Sequence, residues 1–420
     1  MKRTKQAVCL LLALLMVAGT LMLPSAAGES GTNASAVAGT DTAGAYTKKV
    51  VSVLYDNSYS MLSQGQYYAK YAIQALAALL GPEDALLMTP MNVPGSFEEA
   101  TDDRYTYEVD LSKEDRNSQI AKMLTDSFLS YDPDGSTPFE PINITIQQLI
   151  DRGMKTQANA SFEAGNTEYW LFVMTDGVFT TKSTPEAVES EYAKYIKKYS
   201  NFHMVHLGFG DGAKDMSRPV VEELKNAGNY SAYHSKDTTK LMATMQSIAN
   251  QISGRYTADA AVYTANGNQI TVHLDSLRFA VHNLSLLVQN ADGVLQSATY
   301  KGQALQISQA CTIVAPDYLV NKEEMGNGYS AVIKPGAGLL SGGDIVLTFT
   351  APVGDISIMV EPALKLRTVV ERREGNGWVP TDELYINSFM KEGDQIRVDY
   401  EVYEEGSGSV LELSDIFNPI

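Results

Sequence analysis

The sequence predicts an α/β protein: a doubly wound, mostly parallel sheet with helices on both faces, followed by a β-sandwich. Three observations predict it. From residue 49 to about 254, short apolar runs alternate with segments of helical period, the pattern of βα units around a parallel sheet. Two of those runs, 50–55 and 169–174, are almost wholly β-branched, aliphatic or aromatic, as in strands covered on both faces. From residue 255 the segments become short, β-like and separated by turn residues, a spacing that suits an immunoglobulin-like sandwich.

Taken in order, 50–55 is the first strand. Tyr68, Tyr71, Ala72, Ala75, Leu76, Leu79 and Leu80 then recur at helical spacing. Residues 84–91 read as a second strand and 104–109 as a short edge strand, and Ile120, Met123, Leu124 and Phe128 mark a helix. Residues 132–141 are loop by their Pro, Gly and Asp content, and Ile142, Ile146, Leu149 and Ile150 form the apolar face of the next helix. After the strand 169–174, Val188, Tyr192, Tyr195, Ile196 and Tyr199 mark a helix, 202–209 a strand, and Leu241, Met245, Ile248, Ala249 and Ile252 a closing helix. In the second part, 261–274 reads as a hairpin with Asn266-Gly267 at its turn. Residues 284–288, 304–314, 329–333, 345–349 and 356–360 read as further strands. The implied division is a signal peptide at 1–27, a flexible Gly/Ser/Thr/Ala-rich linker at 28–48, the α/β domain at 49–254, the sandwich at 255–360, and a second β unit at 361–420. That last unit is short for a sandwich and is expected to be incomplete.

Composition narrows the function. The 420 residues are 44% hydrophobic and 20% charged, as in ordinary globular protein. Lys2, Arg3 and Lys5, an apolar run over 7–23 and the small residues Ser25-Ala26-Ala27 form a secretory signal, with an uncleaved anchor as the alternative reading. The expected location is therefore extracellular or cell-surface, with no membrane insertion after cleavage. A formal charge of −18 offers no footprint for nucleic acid. Of the two cysteines, Cys9 lies in the signal, so Cys311 is alone in the mature chain and reads as a buried, inert thiol.

The polar residues that follow the strands carry the chemistry. Asp56, Ser58 and Ser60 stand two residues apart directly after the first strand. Alone, such a trio reads equally as strand-end and helix-cap chemistry. Gly135-Ser136-Thr137 ahead of a helix, and Asp176 after the strand 169–174, belong to the same carboxyl edge of a parallel sheet, where ligands gather. Two carboxylates and several hydroxyls, without His or Cys, suit a hard cation. His203 and His206 are three apart in one strand and face opposite sides, so they cannot share an ion. Gly208-Phe209-Gly210-Asp211-Gly212 reads as a tight turn. Tyr67, Tyr68 and Tyr71 read as packing.

These pieces carry a family resemblance. V-V-S-V-L-Y-D-N-S-Y-S-M over 50–61, then G-S-T-P, then F-V-M-T-D-G, resemble the von Willebrand factor type A (VWA) domain, a Rossmann-like fold, with its metal-ion-dependent adhesion site (MIDAS). The family pattern, D-x-S-x-S with a distant Thr and a distant Asp, is filled in order. The resemblance covers about 49–254. It implies that Ser58, Ser60 and Thr137 offer hydroxyl oxygens to Mg²⁺ or Mn²⁺, with Asp56 and Asp176 acting directly or through water. It further implies that the ion takes a carboxylate from a protein partner. Tyr59 departs from the pattern, since many members have Gly there, and 94–130 is longer than the common core needs. The function implied is adhesion or assembly rather than turnover, with the β-domains as spacers. The alternatives are a metal-dependent hydrolase on the same sheet and a metal-free scaffold. Oligomeric state and the identity of the partner are not legible.

Overall fold

The architecture follows from the alternation of side chains along the first strand, β1 (Lys48–Tyr55). Val51, Val53 and Tyr55 point into one core and Val50 and Leu54 into another. In this computed structural model the described residues run from 48 to 411. The exceptions are 63, 93–105, 125–136, 156–166, 178, 181, 183, 200, 211–212, 214–217, 237, 254–255, 258–261, 289–292, 314–327, 382–388, 390 and 392–393. The expected signal peptide and nearly all of the expected linker fall outside them. Lys48, the last residue of that linker, already pairs with Thr167 in the sheet.

Five further strands complete the first sheet among the described residues: β2 (Ala85–Pro90), β3 (Tyr107–Val109), β4 (Thr167–Thr175), β5 (Phe202–Phe209) and β6 (Tyr230–Ser235). Their order is β3-β2-β1-β4-β5-β6. All neighbours are parallel except β3, which closes the edge antiparallel to β2. The order reverses between β1 and β4, a topological switch point of the doubly wound class.

Helices cover both faces. Helix α1 (Gln64–Leu79), α2 (Arg116–Met123) and α6 (Thr238–Ser253) supply the core on the Val51 side. On the Val50 side lie α3 (Pro141–Asp151), α4 (Pro185–Lys198) and the short α5 (Glu222–Lys225). Local chemistry sets their starts: α4 has Pro185 in its first turn and Thr184 as a cap, whose hydroxyl accepts from the Ala187 amide at 3.2 Å. The sequence missed β6, whose Tyr-Ser-Ala-Tyr-His-Ser composition lacks the apolar run of a central strand because it is an edge.

Among the described residues the sandwich has two five-stranded sheets. One is ordered β13-β14-β10-β16-β7, from β7 (Tyr256–Thr257), β10 (Val281–Val288), β13 (Gln306–Ile313), β14 (Gly328–Lys334) and β16 (Ile356–Pro362). The other is β12-β11-β15-β9-β8, from β8 (Tyr263–Asn266), β9 (Gln269–His273), β11 (Leu295–Tyr300), β12 (Gln303–Ala304) and β15 (Asp344–Phe349). Their inner faces, including Ile270, Leu286, Leu347 and Ile358, make a third core. The β8–β9 hairpin turns on Gly267-Asn268, one residue later than expected, because Asn266 still pairs with Gln269. Gly267 takes φ +62°, which a two-residue hairpin requires of its first central position. Cys311 pairs through its backbone with Ser330, and its side chain lies outside the described set.

Between 364 and 411 the described residues form one four-stranded sheet, ordered β18-β17-β19-β20: β17 (Leu364–Glu374), β18 (Gly377–Pro380), β19 (Ile396–Glu404) and β20 (Val410–Leu411). It is tied to the sandwich through Ala363, whose amide donates to Ala280 and whose carbonyl accepts from the Glu405 amide, both at 2.8 Å.

The sandwich is more than a spacer. On the outer face of its β13–β7 sheet, Leu287 and Met359 join the core built by α1 and α6. Cross-strand pairing puts Ser330 and Ser357 beside Leu287 on that same face. The two layers should therefore unfold together. Leu287→Ala is expected to cost about 2–5 kcal/mol, read in urea by Trp170 of β4 in a Trp378→Phe background. Two separate transitions, with the Trp170 one unmoved, would contradict this.

The two strand histidines do face opposite cores. His203 stacks on Trp170, with ring centres 4.2 Å apart, while His206 is buried beside the Tyr192 hydroxyl at 3.3 Å. Burial lowers His206 from 6.5 to about 4. Unfolded chain takes up this proton between those values, so the stability it confers is whole above about 6.5 and lost toward pH 4. Accordingly, the stability gap between wild type and His206→Gln should narrow from pH 7 to pH 4.5. A gap independent of pH would refute the assignment.

Candidate metal centre

The carboxyl ends of β1 and β4 lie side by side at the switch point, and there the chain leaves both strands in polar residues. The Asp56 amide still bonds to the Met174 carbonyl at 2.9 Å, which carries the pairing one residue past β1. Beyond it, Tyr59–Leu62 forms a 3-10 turn, closed by the Met61 amide on the Ser58 carbonyl at 3.1 Å. This turn swings the Ser58 and Ser60 hydroxyls to within 3.1 Å of each other.

All five expected residues come together. Asp56 Oδ1 accepts from the Ser58 amide at 2.9 Å, and Asp56 Oδ2 accepts from the Thr137 hydroxyl at 3.4 Å. The Ser60 hydroxyl donates to Asp176 Oδ1 at 3.0 Å. Thr137 is held from a third loop: its carbonyl accepts from both the amide and the hydroxyl of Thr180, at 2.8 and 3.1 Å. Edge-to-face packing of Phe139 on Phe179, at 5.2 Å, secures the same two loops. Gly135 and Ser136 lie outside the described residues. Asp56, Ser58 and Thr137 are buried, and Ser60 faces solvent.

Three supporting residues were not legible. Thr175, the last residue of β4, donates its hydroxyl to Asp56 Oδ2 at 2.6 Å, the shortest contact to that carboxylate. A threonine at a strand end is ordinary β-sheet composition, so although Thr175 falls within the F-V-M-T-D-G run, its residue type does not mark it as a partner of Asp56. Asn57 is locked by Asn92: its amide donates to the Asn92 carbonyl at 2.9 Å and its Oδ1 accepts from the Asn92 amide at 2.7 Å. Gly65, in the first turn of α1, admits no larger residue without displacement, because an added Cβ would lie 2.7 Å from Met61 Sδ and 3.6 Å from Asp176 Cβ.

The electrostatics are those of two carboxylates forced together. Burial raises the Asp56 carboxyl despite its hydrogen bonds from Thr175, Ser58 and Thr137. Burial, and then the charge of Asp56, raise Asp176 to about 6. A divalent cation would relieve both effects, and the donors fit one: five oxygens, with no nitrogen or sulfur, is the preference of Mg²⁺ or Mn²⁺. Among the described residues no group of three or more His, Cys, Asp and Glu stands together. This constellation needs none, since hydroxyls fill its remaining positions. Gly210 takes φ +64° in the turn just past β5, and Gly208, inside β5, is packed so that an added Cβ would lie 2.5 Å from Ala213 Cβ; Asp211 and Gly212 lie outside the described residues. Tyr67, Tyr68 and Tyr71 are buried in the core, as their packing reading expects.

Thr175 tests this geometry. Thr175→Val should weaken Mn²⁺ binding about 10–100-fold, the usual effect of removing a group that orients a ligand, while Thr175→Ser retains it. Calorimetric titration reads both, and unchanged affinity in Thr175→Val would remove the role.

No family model matches the chain, and no curated protein does. Among solved structures, it is similar to the pilus adhesin SpaC of Lactobacillus rhamnosus GG at 11% identity and TM-score 0.33, over 87% of this chain and 54% of that one. The PilB minor pilin of Streptococcus sanguinis matches at 12% identity and TM-score 0.33, over 51% of this chain and 63% of that one. Proximal thread matrix protein 1 of the mussel byssus, with a zinc-occupied MIDAS motif, matches at 13% identity and TM-score 0.31, over 48% and 44%. The chain thus spans 44 to 63% of the length of these structures. Likenesses this distant fix no function.

Proposed function

We propose that this chain is a VWA-type protein that binds a partner protein through a divalent cation held by Asp56, Ser58, Ser60, Thr137 and Asp176. Its expected setting is outside the cell, as its N-terminal residues imply. The observation that carries the reading is the meeting of five oxygen donors from three loops at one switch point.

The donor set supports a reading of binding rather than turnover. Only two of the five groups are charged, so a bound Mg²⁺ or Mn²⁺ keeps the electrophilicity needed to accept an oxygen of an incoming carboxylate. The chain's residues do the rest. Thr175 and the Ser58 amide orient Asp56, Ser60 orients Asp176, and the Asn57–Asn92 pair fixes the loop. His206 is committed to Tyr192 in the core and His203 to Trp170, so neither is placed as an acid–base group beside this centre.

Asp56→Ala and Asp176→Ala should each abolish measurable Mn²⁺ binding in calorimetry. Capture of a protein from the surface fraction of the producing cell should be lost in EDTA and restored by Mg²⁺. Wild-type Mn²⁺ affinity in both variants would remove the ion centre, and capture that persists in EDTA would remove the carboxylate bridge.

A further inference from the structure

Between two of the donors stands a side chain that the ion does not need. Tyr59 is 61% exposed, while Tyr55, Tyr67, Tyr68 and Tyr71 on the neighbouring strand and helix are buried. We propose that Tyr59 determines the specificity of the centre: its ring receives a lysine or arginine side chain adjacent to the carboxylate that the partner presents. The proposal rests on the ion-mediated capture described above and names the chemistry of the partner segment.

Position is the first argument. Ser58 and Ser60 bring their hydroxyls together at 3.1 Å, and Ser60 reaches on to Asp176 at 3.0 Å. The intervening Cα is one residue, about 3.8 Å, from each of theirs. That residue opens the 3-10 turn Tyr59–Leu62 and is 61% exposed, so it belongs to the solvent-facing side of the segment that carries the two hydroxyls.

Rigidity is the second. The turn is closed by the Met61 amide on the Ser58 carbonyl, and its approach is pinned by the Asn57–Asn92 pair. Tyrosine has two side-chain torsions, so a ring on a fixed turn is a contact surface that loses little freedom on binding.

Charge is the third, and it selects the partner chemistry. The chain carries a formal charge of −18, so an acidic segment approaches against repulsion. A basic residue beside the carboxylate offsets that repulsion, and the face of a tyrosine ring attracts an ammonium or guanidinium group. An aromatic neighbour on the partner would use the ring but leave the repulsion in place.

The test uses the full chain with Mn²⁺ and three blocked tripeptides, acetyl-Gly-Glu-Xaa-amide with Xaa lysine, alanine or phenylalanine. Binding is read from the paramagnetic broadening of peptide resonances. The lysine peptide is expected to bind about two- to five-fold tighter than the alanine peptide, the factor an exposed cation–ring contact supplies. Tyr59→Ala should erase that preference with Mn²⁺ affinity unchanged, and Tyr59→Phe should keep it. Equal binding of the lysine and alanine peptides, a preference that survives Tyr59→Ala, or tightest binding by the phenylalanine peptide would each overturn the proposal. If Mn²⁺ binds but no peptide does, the capture reading falls and the proposal with it. A loss confined to the lysine preference leaves capture standing.

Discussion

The buried carboxylate of Asp56 is the constraint on which the rest of the centre depends. It sits at the end of a strand covered on both faces, where an unpaired charge is costly. Its oxygens are met by the Ser58 amide and by the hydroxyls of Thr175 and Thr137, one partner from each of the three chain segments that surround the site. Those bonds draw the loops after β1 and β4 and the loop before α3 into register. They stop short of neutralising the site, because burial still raises both carboxyls and Asp56 raises Asp176 further. The protein's own groups are thus assembled and electrostatically strained at once, an arrangement that a divalent cation would relieve with little rearrangement.

The scaffold places this strain where it can be used. The strand order reverses between β1 and β4, so their carboxyl ends meet at a switch point, the place where ligands gather in open α/β sheets. Helix α1 begins beside it, with Gly65 against Met61 and Asp176. The same helix belongs to the core that takes in Leu287 and Met359 from the sandwich. The second domain therefore braces the helix whose first turn abuts Met61 and Asp176, which gives it a structural part in the arrangement of these oxygen donors.

Much of this was legible from the residues in order. The run from Val50 to Tyr55 announces a doubly covered strand, and Asp56, Ser58, Ser60 and Asp176 are visible because donors placed after strands in a parallel sheet share an edge; Thr137, in the loop before α3, is singled out by the resemblance to the D-x-S-x-S pattern. What supports them was not legible, for a physical reason. Thr175 looks like any strand threonine, and the Asn57–Asn92 pair joins residues 35 apart. Gly65 bears no mark in the sequence of its closeness to Met61 and Asp176. The bracing by Leu287 and Met359 is hidden for a similar reason: they alternate with the inward residues of β10 and β16, and only the docked helix explains why that outer face is apolar. The edge strand β6 escaped because half-buried edges need no apolar run.

The central claim is that these five side chains hold one divalent cation. Anomalous diffraction from crystals soaked in Mn²⁺ tests it most directly. The account predicts a single strong peak at coordination distance, roughly 2.0–2.3 Å, from the Ser58 and Ser60 hydroxyl oxygens, with Thr137 and Asp176 around it. A soaked crystal with no peak there, or with Mn²⁺ only at surface carboxylates elsewhere, would contradict it.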